Sequence, residues 1–224
     1  MAILVALIII ISVMIRKLVV YPLLSYNESI KRGEIFPVIG AAELQKLAET
    51  YNSVYRENQE AQKLIRHEAE YDALTELLNR RYFDKILKIY EDGKSSFALI
   101  LVDVDTFKTV NDTYGHATGD EILRRVATLL KNTFRSIDYV CRIGGDEFAI
   151  VMVEMTSDLK YTIQEKIDYI NQTLLNPEDD LPAVSLSVGT AFADRENPGE
   201  SIFKDADKAL YYVKEHGRNG CGFY

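Results

Sequence analysis

The chain opens with an uninterrupted run of uncharged, mostly apolar residues, MAILVALIIIISVMI. As a helix this run would extend about 22 Å, against roughly 30 Å for the hydrocarbon core of a bilayer. Arg16 and Lys17 follow it, and their long side chains can reach the membrane surface while residues 18–20 extend the apolar stretch. The pattern predicts a transmembrane helix over 1–20, with a buried helix of a soluble protein as the alternative.

The charges that follow this helix predict its orientation. Cations stand at 16, 17, 31 and 32, and the cytoplasmic flanks of membrane helices are enriched in such residues. We therefore expect a single-pass protein of the inner (cytoplasmic) membrane, with the rest of the chain in the cytoplasm. A cleaved signal peptide fits less well, because no basic segment precedes the apolar run and no small-residue cleavage site follows it. A short anchor and the last span of a longer receptor both fit the pattern.

The next segment, 21–70, is predicted to be a helical linker. Proline and glycine residues punctuate 18–40, so one continuous helix is not expected there. Beyond residue 40, apolar side chains recur at steps of three and four residues, which is typical of an amphipathic helix. A long helix with a narrow apolar stripe packs on a copy of itself or on a neighbour. The stripe consists of Leu44, Leu47, Tyr51, Val54 and Tyr55.

From Tyr71 onward the pattern alternates between strands and helices. Two strands joined by a tight Gly144-Gly145 hairpin must be antiparallel. The pattern therefore predicts an α+β domain over 71–224, with a central, mainly antiparallel sheet flanked by helices. The predicted strands are Phe97–Val104, Tyr139–Ile143, Glu147–Val153, 183–191 and a short terminal strand; the predicted helices are Asp120–Phe134, about 157–175 and about 199–216.

Composition narrows the class of partner. The net charge is −8, whereas a general binder of nucleic-acid polymers needs a basic surface. A small nucleotide remains possible if a few local cations or bound metals face its phosphates. Cys141 and Cys221 have no paired spacing, which favours a reducing compartment and no zinc cluster.

Four acidic residues stand where strands end. Asp103 and Asp105 follow an apolar strand, and Asp146 and Glu147 lie at the tip of the hairpin. Carboxylates brought together repel one another, and divalent cations relieve that repulsion; hard oxygen ligands favour Mg²⁺ or Mn²⁺. The alternative is that these are exposed acidic residues of turns.

Candidate nucleotide ligands surround these acids. Lys108 offers a charge to phosphate, and Asn111 and Asp120 offer an acceptor and donors to the edge of a purine. Asp120 could also begin the next helix as its N-cap. Lys214 and Arg218 form a second cationic group, for which the alternative is simple complementation of a helix C-terminus.

Residues 144–148 read GGDEF, and five further blocks occur in order: DALTELLNRRYF at 72–83, DVDTFKTVND at 103–112, GHATGD at 115–120, SLSVGTA at 185–191 and ADKALYYVKEHGRN at 206–219. Together they resemble the GGDEF family of diguanylate cyclases over about two thirds of the chain. The resemblance implies a fold similar to the polymerase palm and to nucleotide cyclases. It also implies condensation of two GTP molecules into cyclic di-GMP. Other candidates are a receptor for GTP or cyclic di-GMP without activity and a structural dimerisation module.

The resemblance also implies roles for individual residues. Each half-site would hold two Mg²⁺ (or Mn²⁺) ions, and two domains of a homodimer would face each other, one GTP in each. Glu147, Asp146 and Asp103 would be catalytic. The ions would be held by Asp103, Asp146, Glu147 and the Val104 carbonyl. The substrate would be bound by Asn111, Asp120, Phe107, Lys108, His116, Arg142, Lys214 and Arg218.

Two further features follow from the same comparison. Arg135 and Asp138 form an RxxD motif, which in many family members binds cyclic di-GMP and causes product inhibition; the alternative is an ordinary ion pair at a helix end. Glu76 stands where the family usually has glycine, and would be strained if φ is positive there. Residues 21–70 are similar to a HAMP signalling linker, and an unspecialised coiled coil is the alternative.

Overall fold

The computed structural model describes residues 1–93, 95–177 and 180–224. The chain divides into two compact units, Met1–Arg66 and His67–Tyr224.

The first unit begins with a helix that runs from Ala2 to Arg32. It is α-helical over α1 (Ala2–Ile15), has a π-helical segment over Arg16–Val20, and is α-helical again over α2 (Tyr21–Arg32). Within the described ranges, this one helix is long and apolar enough to cross a membrane, and its apolar part is exposed to the surroundings. Left-handed Gly33, with φ of 65°, ends it.

Pro22 does not break this helix, although proline was expected to punctuate the segment. Proline lacks the N–H that would bond the carbonyl four residues earlier, and the backbone N–H of Ala41 donates to that Leu18 carbonyl instead, at 2.9 Å. A Cβ on Gly40 would lie 2.7 Å from both Leu18 O and Pro22 Cγ, so the close approach requires glycine. The connecting segment thus replaces the donor that proline removed.

The third helix, α3 (Ala42–Glu70), runs parallel to α2. Ala41 contacts Leu18 near the start of α2, and the Tyr55 hydroxyl donates to the Gly33 carbonyl at its end. Between these points, the Asn52 side chain accepts from the Phe36 N–H at 2.6 Å and donates to its carbonyl at 2.8 Å. A small core of Tyr26, Phe36 and Ala48 packs between the helices.

The second unit is an α+β domain, as predicted. Its helices are α4 (Arg80–Asp92), α5 (Phe107–Tyr114), α6 (His116–Thr133), α7 (Lys160–Leu175) and α8 (Ile202–Glu215). Its strands are β1 (Phe97–Val104), β2 (Tyr139–Arg142), β3 (Glu147–Val153), β4 (Leu186–Phe192) and β5 (Gly220–Phe223).

Among the described residues the sheet has five strands in the order β2-β3-β1-β4-β5. β1 pairs antiparallel with both β3 and β4, and β2 pairs antiparallel with β3, whereas β4 and β5 are parallel. The mainly antiparallel sheet is therefore confirmed.

Side chains of β1 alternate between two cores, because successive residues of a strand point to opposite faces. Ala98, Ile100 and Val102 pack with α6 and α7, whereas Leu99 and Leu101 pack with α4 and α8. Helices cover both faces, which explains why this strand is an almost continuous apolar run.

Several elements differ from the sequence prediction. α4 and α5 were not predicted, because their first residues were read as parts of a motif or a turn. α6 begins at His116 rather than Asp120, and its N-cap is Gly115, so the predicted N-cap role of Asp120 is wrong. A helix can begin at Gly115 because glycine adopts its φ of 84° without strain.

Glu76 has a φ of 56° in the turn between α3 and α4. Its N–H donates to the Asp72 carbonyl at 2.9 Å, and its carboxylate lies 3.2 Å from His67 Nε2. The positive φ that would strain a glutamate at this position is therefore present. An exposed ion pair of this kind contributes little to the free energy of unfolding. The backbone strain at Glu76 therefore outweighs the contribution of its side chain to stability.

We predict that Glu76→Gly stabilises the protein by about 1 kcal/mol, because glycine adopts positive φ without strain. The midpoint of thermal unfolding of the full chain in detergent, followed by circular dichroism, should rise by about 2–4 °C. Glu76→Ala is the matched control, since it removes the carboxylate but keeps Cβ, and it should not be stabilised. An equal rise in both variants would contradict this explanation.

Candidate active site

The predicted carboxylates converge at one end of the β1–β3 ladder. Asp103 lies directly opposite Glu147, and the next pair is joined by a hydrogen bond from Val104 N to the Asp146 carbonyl, at 3.2 Å. Directly opposed residues of antiparallel strands have Cβ atoms about 4.5–5.5 Å apart on the same face. The register therefore brings two acidic side chains together beside Asp146.

Lys214 from α8 neutralises part of this charge. Its Nζ lies 2.7 Å from Asp103 Oδ2, and the Asp103 side chain is only 14% exposed. Burial raises the pKa of Asp103, and the hydrogen bond and charge of Lys214 lower it; Asp146 and Asp105 raise it further, and the net pKa is above the usual value. The charged form of this carboxylate is thus less favourable than in water, chiefly because the side chain is buried.

This donor set fits a hard divalent cation by its chemistry. Asp103, Asp146 and Glu147 supply carboxylate oxygens and Val104 supplies a carbonyl, the ligand types that Mg²⁺ and Mn²⁺ prefer. Across the part of the chain that the structure describes, no group of three or more His, Cys, Asp or Glu side chains is arranged to hold a metal ion. The register of β1 and β3 places the acidic residues close together, as a metal site requires. The Asp103 carboxylate, however, contacts Lys214.

The hairpin that carries Asp146 and Glu147 is longer than predicted. The β2–β3 register leaves three residues, Gly144, Gly145 and Asp146, between the paired Ile143 and Glu147. Neither glycine has positive φ, whereas the common two-residue hairpin turns use it. The predicted two-glycine connection is therefore wrong. A Cβ on Gly144 would lie 2.7 Å from Glu147 Oε2, the end of an exposed and flexible side chain that can move aside.

Arg142 braces this hairpin from the side. Its Nη2 donates to the Gly145 carbonyl at 2.8 Å and its Nη1 donates to Asp72 Oδ1 at 2.9 Å. Asp72 also accepts from the N–H and hydroxyl of Thr75. The guanidinium therefore connects the turn after α3 to the loop that carries the acids. That Arg142 also contacts the substrate stays a prediction.

The predicted guanine ligands lie on α5 and α6, a neighbouring helix pair. Asn111 is half-buried on α5, and a Cβ on Gly119 would lie 2.0 Å from its Oδ1, so the amide packs directly on the α6 backbone. Asp120 follows Gly119 and is also half-buried. The fold thus brings the segments of Asn111 and Asp120 together. Lys108 and His116 are exposed and Phe107 is half-buried.

Asp105 has a different environment from the other acids. Its carboxylate is buried and accepts from the hydroxyls of Ser185 and Ser187, each at 2.6 Å, and from the N–H of Asn219 at 3.1 Å. From the sequence, Asp105 was grouped with Asp103, Asp146 and Glu147 as acids that converge where strands end. The alternating serines of SLS, which share one face of a strand, were the signal for a buried acceptor.

Arg135 and Asp138 form a closed pair on the side of the domain away from Asp103. Arg135 Nε and Nη2 donate to the two carboxylate oxygens at 3.0 and 2.7 Å, and Nη2 also donates to the Val153 carbonyl. The hydrogen bond to Asp138 raises the pKa of Arg135, although burial opposes this. The N–H groups of Arg135 and Val153 also donate to Asp138, whose side chain is fully buried.

The chain belongs to the GGDEF family. Residues 69–220 match the family model described as diguanylate cyclase, GGDEF domain. The family resemblance predicted from the six sequence blocks is therefore confirmed.

Individual relatives agree with this assignment. Diguanylate cyclase DosC of Escherichia coli is 42% identical over 166 residues, which are 70% of this chain and 36% of that protein. The chain thus spans about a third of the length of this curated relative. The coiled coil and GGDEF domain of DgcB from Caulobacter crescentus, solved with c-di-GMP, is 31% identical with a TM-score of 0.70. That match covers 82% of this chain and all of that one.

A third comparison extends over the full chain. Diguanylate cyclase SiaD of Pseudomonas aeruginosa, solved with its activator SiaC, is 25% identical with a TM-score of 0.63. The match covers 100% of this chain and 85% of that one.

We predict that the free energy of unfolding of Asp103→Asn, relative to that of the parent, is higher at pH 7 than at pH 4 when divalent ions are absent. A carboxyl whose pKa is raised by folding contributes stability below its unfolded pKa, near 3.9, and loses it as pH rises through the folded value. Unfolding midpoints of parent and variant at both pH values measure the difference.

Asp72→Asn is the matched control, because folding changes its pKa in the opposite direction. Burial raises the pKa of Asp72, but the hydrogen bonds from Thr75 and Arg142 outweigh it, and the net pKa is lowered. This contribution to stability is present above the unfolded pKa and is lost as pH falls through the folded value. Asp72→Asn should therefore destabilise more at pH 7 than at pH 4. The same pH trend in both variants would contradict the assignment.

Proposed function

We propose that this member of the GGDEF family is a diguanylate cyclase that condenses two GTP molecules into cyclic di-GMP and releases two pyrophosphates. The observation that carries the proposal is the register that sets Asp103 opposite Glu147, with Asp146 adjacent and Lys214 on the same carboxylate. A paired set of acids at a strand end, supplied with one cation, is suited to phosphate chemistry with divalent metal ions.

Two Mg²⁺ or Mn²⁺ ions per half-site would be held by Asp103, Asp146, Glu147 and the Val104 carbonyl. Bound there, such ions neutralise phosphate charge and lower the pKa of a coordinated hydroxyl. Glu147 is exposed at the tip of the hairpin, where it can accept the proton of a substrate 3′-hydroxyl. Lys214, freed from Asp103 by the ions, would be available to phosphate.

The remaining predicted residues bind and orient GTP in this proposal. Asn111 and Asp120 would read the guanine edge, on which an aspartate accepts from N1 and N2 donors. Lys108, Lys214 and Arg218 would hold the phosphates, with help from backbone N–H groups near Phe107. His116 and Arg142 would also contribute to substrate binding, and Arg142 would do so by holding the hairpin loop in place.

Each domain would hold one GTP, so that both phosphodiester bonds form only where two domains face each other. The first unit offers a surface for such a homodimer. Leu47, Val54, Leu64 and Ile65 of α3 are at least half exposed, which is costly for apolar side chains unless a partner covers them. We infer that residues 21–70 act as a HAMP-like linker that pairs two chains. The DgcB structure contains a coiled coil beside its GGDEF domain, which supports this arrangement.

We further propose that the chain is attached to the membrane by its N-terminal helix. The helix Ala2–Arg32 would cross the inner membrane once, over about residues 1–20, and the domain at 71–224 would lie in the cytoplasm. The cations that follow the apolar run support this orientation, and an uncharacterised relative in Staphylococcus haemolyticus is described as a membrane protein.

We predict that the purified full chain in detergent converts GTP into cyclic di-GMP when Mg²⁺ is present, and that Glu147→Gln abolishes this. Chromatography of the nucleotide products measures both rates. Glutamine keeps the size of the side chain and removes its charge, so a loss of activity would report on the carboxylate itself. A folded, dimeric parent that forms no product would favour the nucleotide receptor instead.

We further predict product inhibition at Arg135 and Asp138. Cyclic di-GMP would bind there only if the closed pair opens, because Asp138 is already saturated by Arg135 and Val153. Added cyclic di-GMP should slow the parent enzyme, and Arg135→Ala should remove this slowing. Calorimetry of product binding to both proteins provides the independent check. Equal inhibition of both proteins would exclude this site.

A further inference from the structure

Asp105 is a buried acid that the proposed chemistry does not use. It lies two residues beyond Asp103, but its side chain is only 4% exposed. Oδ2 accepts from Ser185 Oγ at 2.6 Å and from the Asn219 N–H at 3.1 Å, and Oδ1 accepts from Ser187 Oγ at 2.6 Å. The carboxylate therefore joins the end of β1 to the segment that follows α8.

That segment is strained. Gly217, Arg218 and Asn219 have consecutive positive φ values of 109°, 62° and 50°. Left-handed conformations are unfavourable for residues with a Cβ and persist where surrounding contacts hold them, often at functional sites. Here the Arg218 N–H donates to the Val213 carbonyl at 3.0 Å, and the next N–H donates to Asp105.

The strained segment carries Arg218, and Asp105 contacts it at two points, the backbone that follows Arg218 and the Arg218 side chain. Its Oδ2 fixes the following N–H, while its Oδ1 lies 3.9 Å from Arg218 Nε. The Arg218 side chain nevertheless remains 54% exposed. By contrast, Arg135 is held bidentately by Asp138 at hydrogen-bond distance. At 3.9 Å the carboxylate attracts the Arg218 guanidinium without forming a hydrogen bond to it. The N–H groups of the guanidinium therefore stay available to a ligand.

We propose that Asp105 is a positioning residue for substrate: it holds the left-handed segment so that Arg218 presents its guanidinium to the triphosphate. This inference rests on the proposed function. Preorganisation of a flexible arginine reduces the ordering cost of binding. Asp105 itself acts through Arg218 and touches neither the substrate nor the metal ions.

The test is a double-mutant cycle on nucleotide binding. The full chain in detergent, with Mg²⁺, is titrated by calorimetry with a GTP analogue that carries a methylene bridge between its α- and β-phosphorus atoms. Asp105→Asn should weaken binding about tenfold, as expected for a lost hydrogen bond to a charged group. In the Arg218→Ala background, the same change should have less than a twofold effect, because the residue through which it acts is gone.

A purely structural role gives a different result. Asp105→Asn would then weaken binding by the same factor in both backgrounds, and that outcome, or an unchanged Kd in the parent background, overturns the inference. A parent chain that binds no analogue overturns the proposed function and this inference with it. Binding by the parent with no coupling to Arg218 overturns this inference alone.

A milder variant covers the case in which Asp105→Asn does not fold. Ser187→Ala removes the donor to Oδ1 but leaves the charge and the bond to Asn219 in place. It should weaken binding about threefold in the parent and not in the Arg218→Ala background. An effect of equal size in both backgrounds overturns the inference.

Discussion

Direct opposition of Asp103 and Glu147 across the β1–β3 ladder is the constraint around which the rest of the site is arranged. Like charges directly opposite in a sheet destabilise it, and burial makes the charge on Asp103 still less favourable. The fold compensates with Lys214 from α8, which reaches the same carboxylate across the sheet end. The pKa of Asp103 stays raised despite Lys214, and a divalent cation bound there would favour the charged form of the carboxylate.

Two further anchors hold the loops on either side of this pair. Arg142 connects Asp72 in the turn after α3 with the Gly145 carbonyl of the hairpin. Asp105 connects β1, Ser185 before β4 and Ser187 within β4 with the left-handed segment after α8. Both anchors use an acid that lies outside the proposed metal ligands. Substitutions at either acid are therefore expected to alter geometry rather than to remove a reacting group.

The linker unit uses backbone donors and acceptors in a similar way. Pro22 leaves the Leu18 carbonyl without its helical donor, and Ala41 supplies one from the connecting segment. Asn52 bonds both backbone groups of Phe36. Such pairings fix the register of two parallel helices more sharply than apolar packing alone, because a shift by one residue would leave buried backbone groups unpaired.

Patterns that are local in the chain were predicted well. The bounds of β1 and β3 agree with the structure, because a strand between turn residues is defined by a short apolar run. The family follows from ordered motifs, and the tight hairpin between two predicted strands indicated the mainly antiparallel α+β fold. The elements that were missed, α4 and α5, begin at residues whose side chains read as parts of a motif or a turn, and their apolar stripes are short.

The sequence by itself therefore determined the family, the mainly antiparallel character of the sheet and the set of chemically capable residues. Only the tertiary structure decided which of those residues share an environment. Asp103 and Asp105 are equivalent by spacing, yet one faces Lys214 and the other is enclosed by Ser185, Ser187 and the Asn219 N–H. Those partners lie about eighty or more positions away in the chain. Local pattern carries no information about them, since pairing across the sheet and the path of the loop after α8 bring them together.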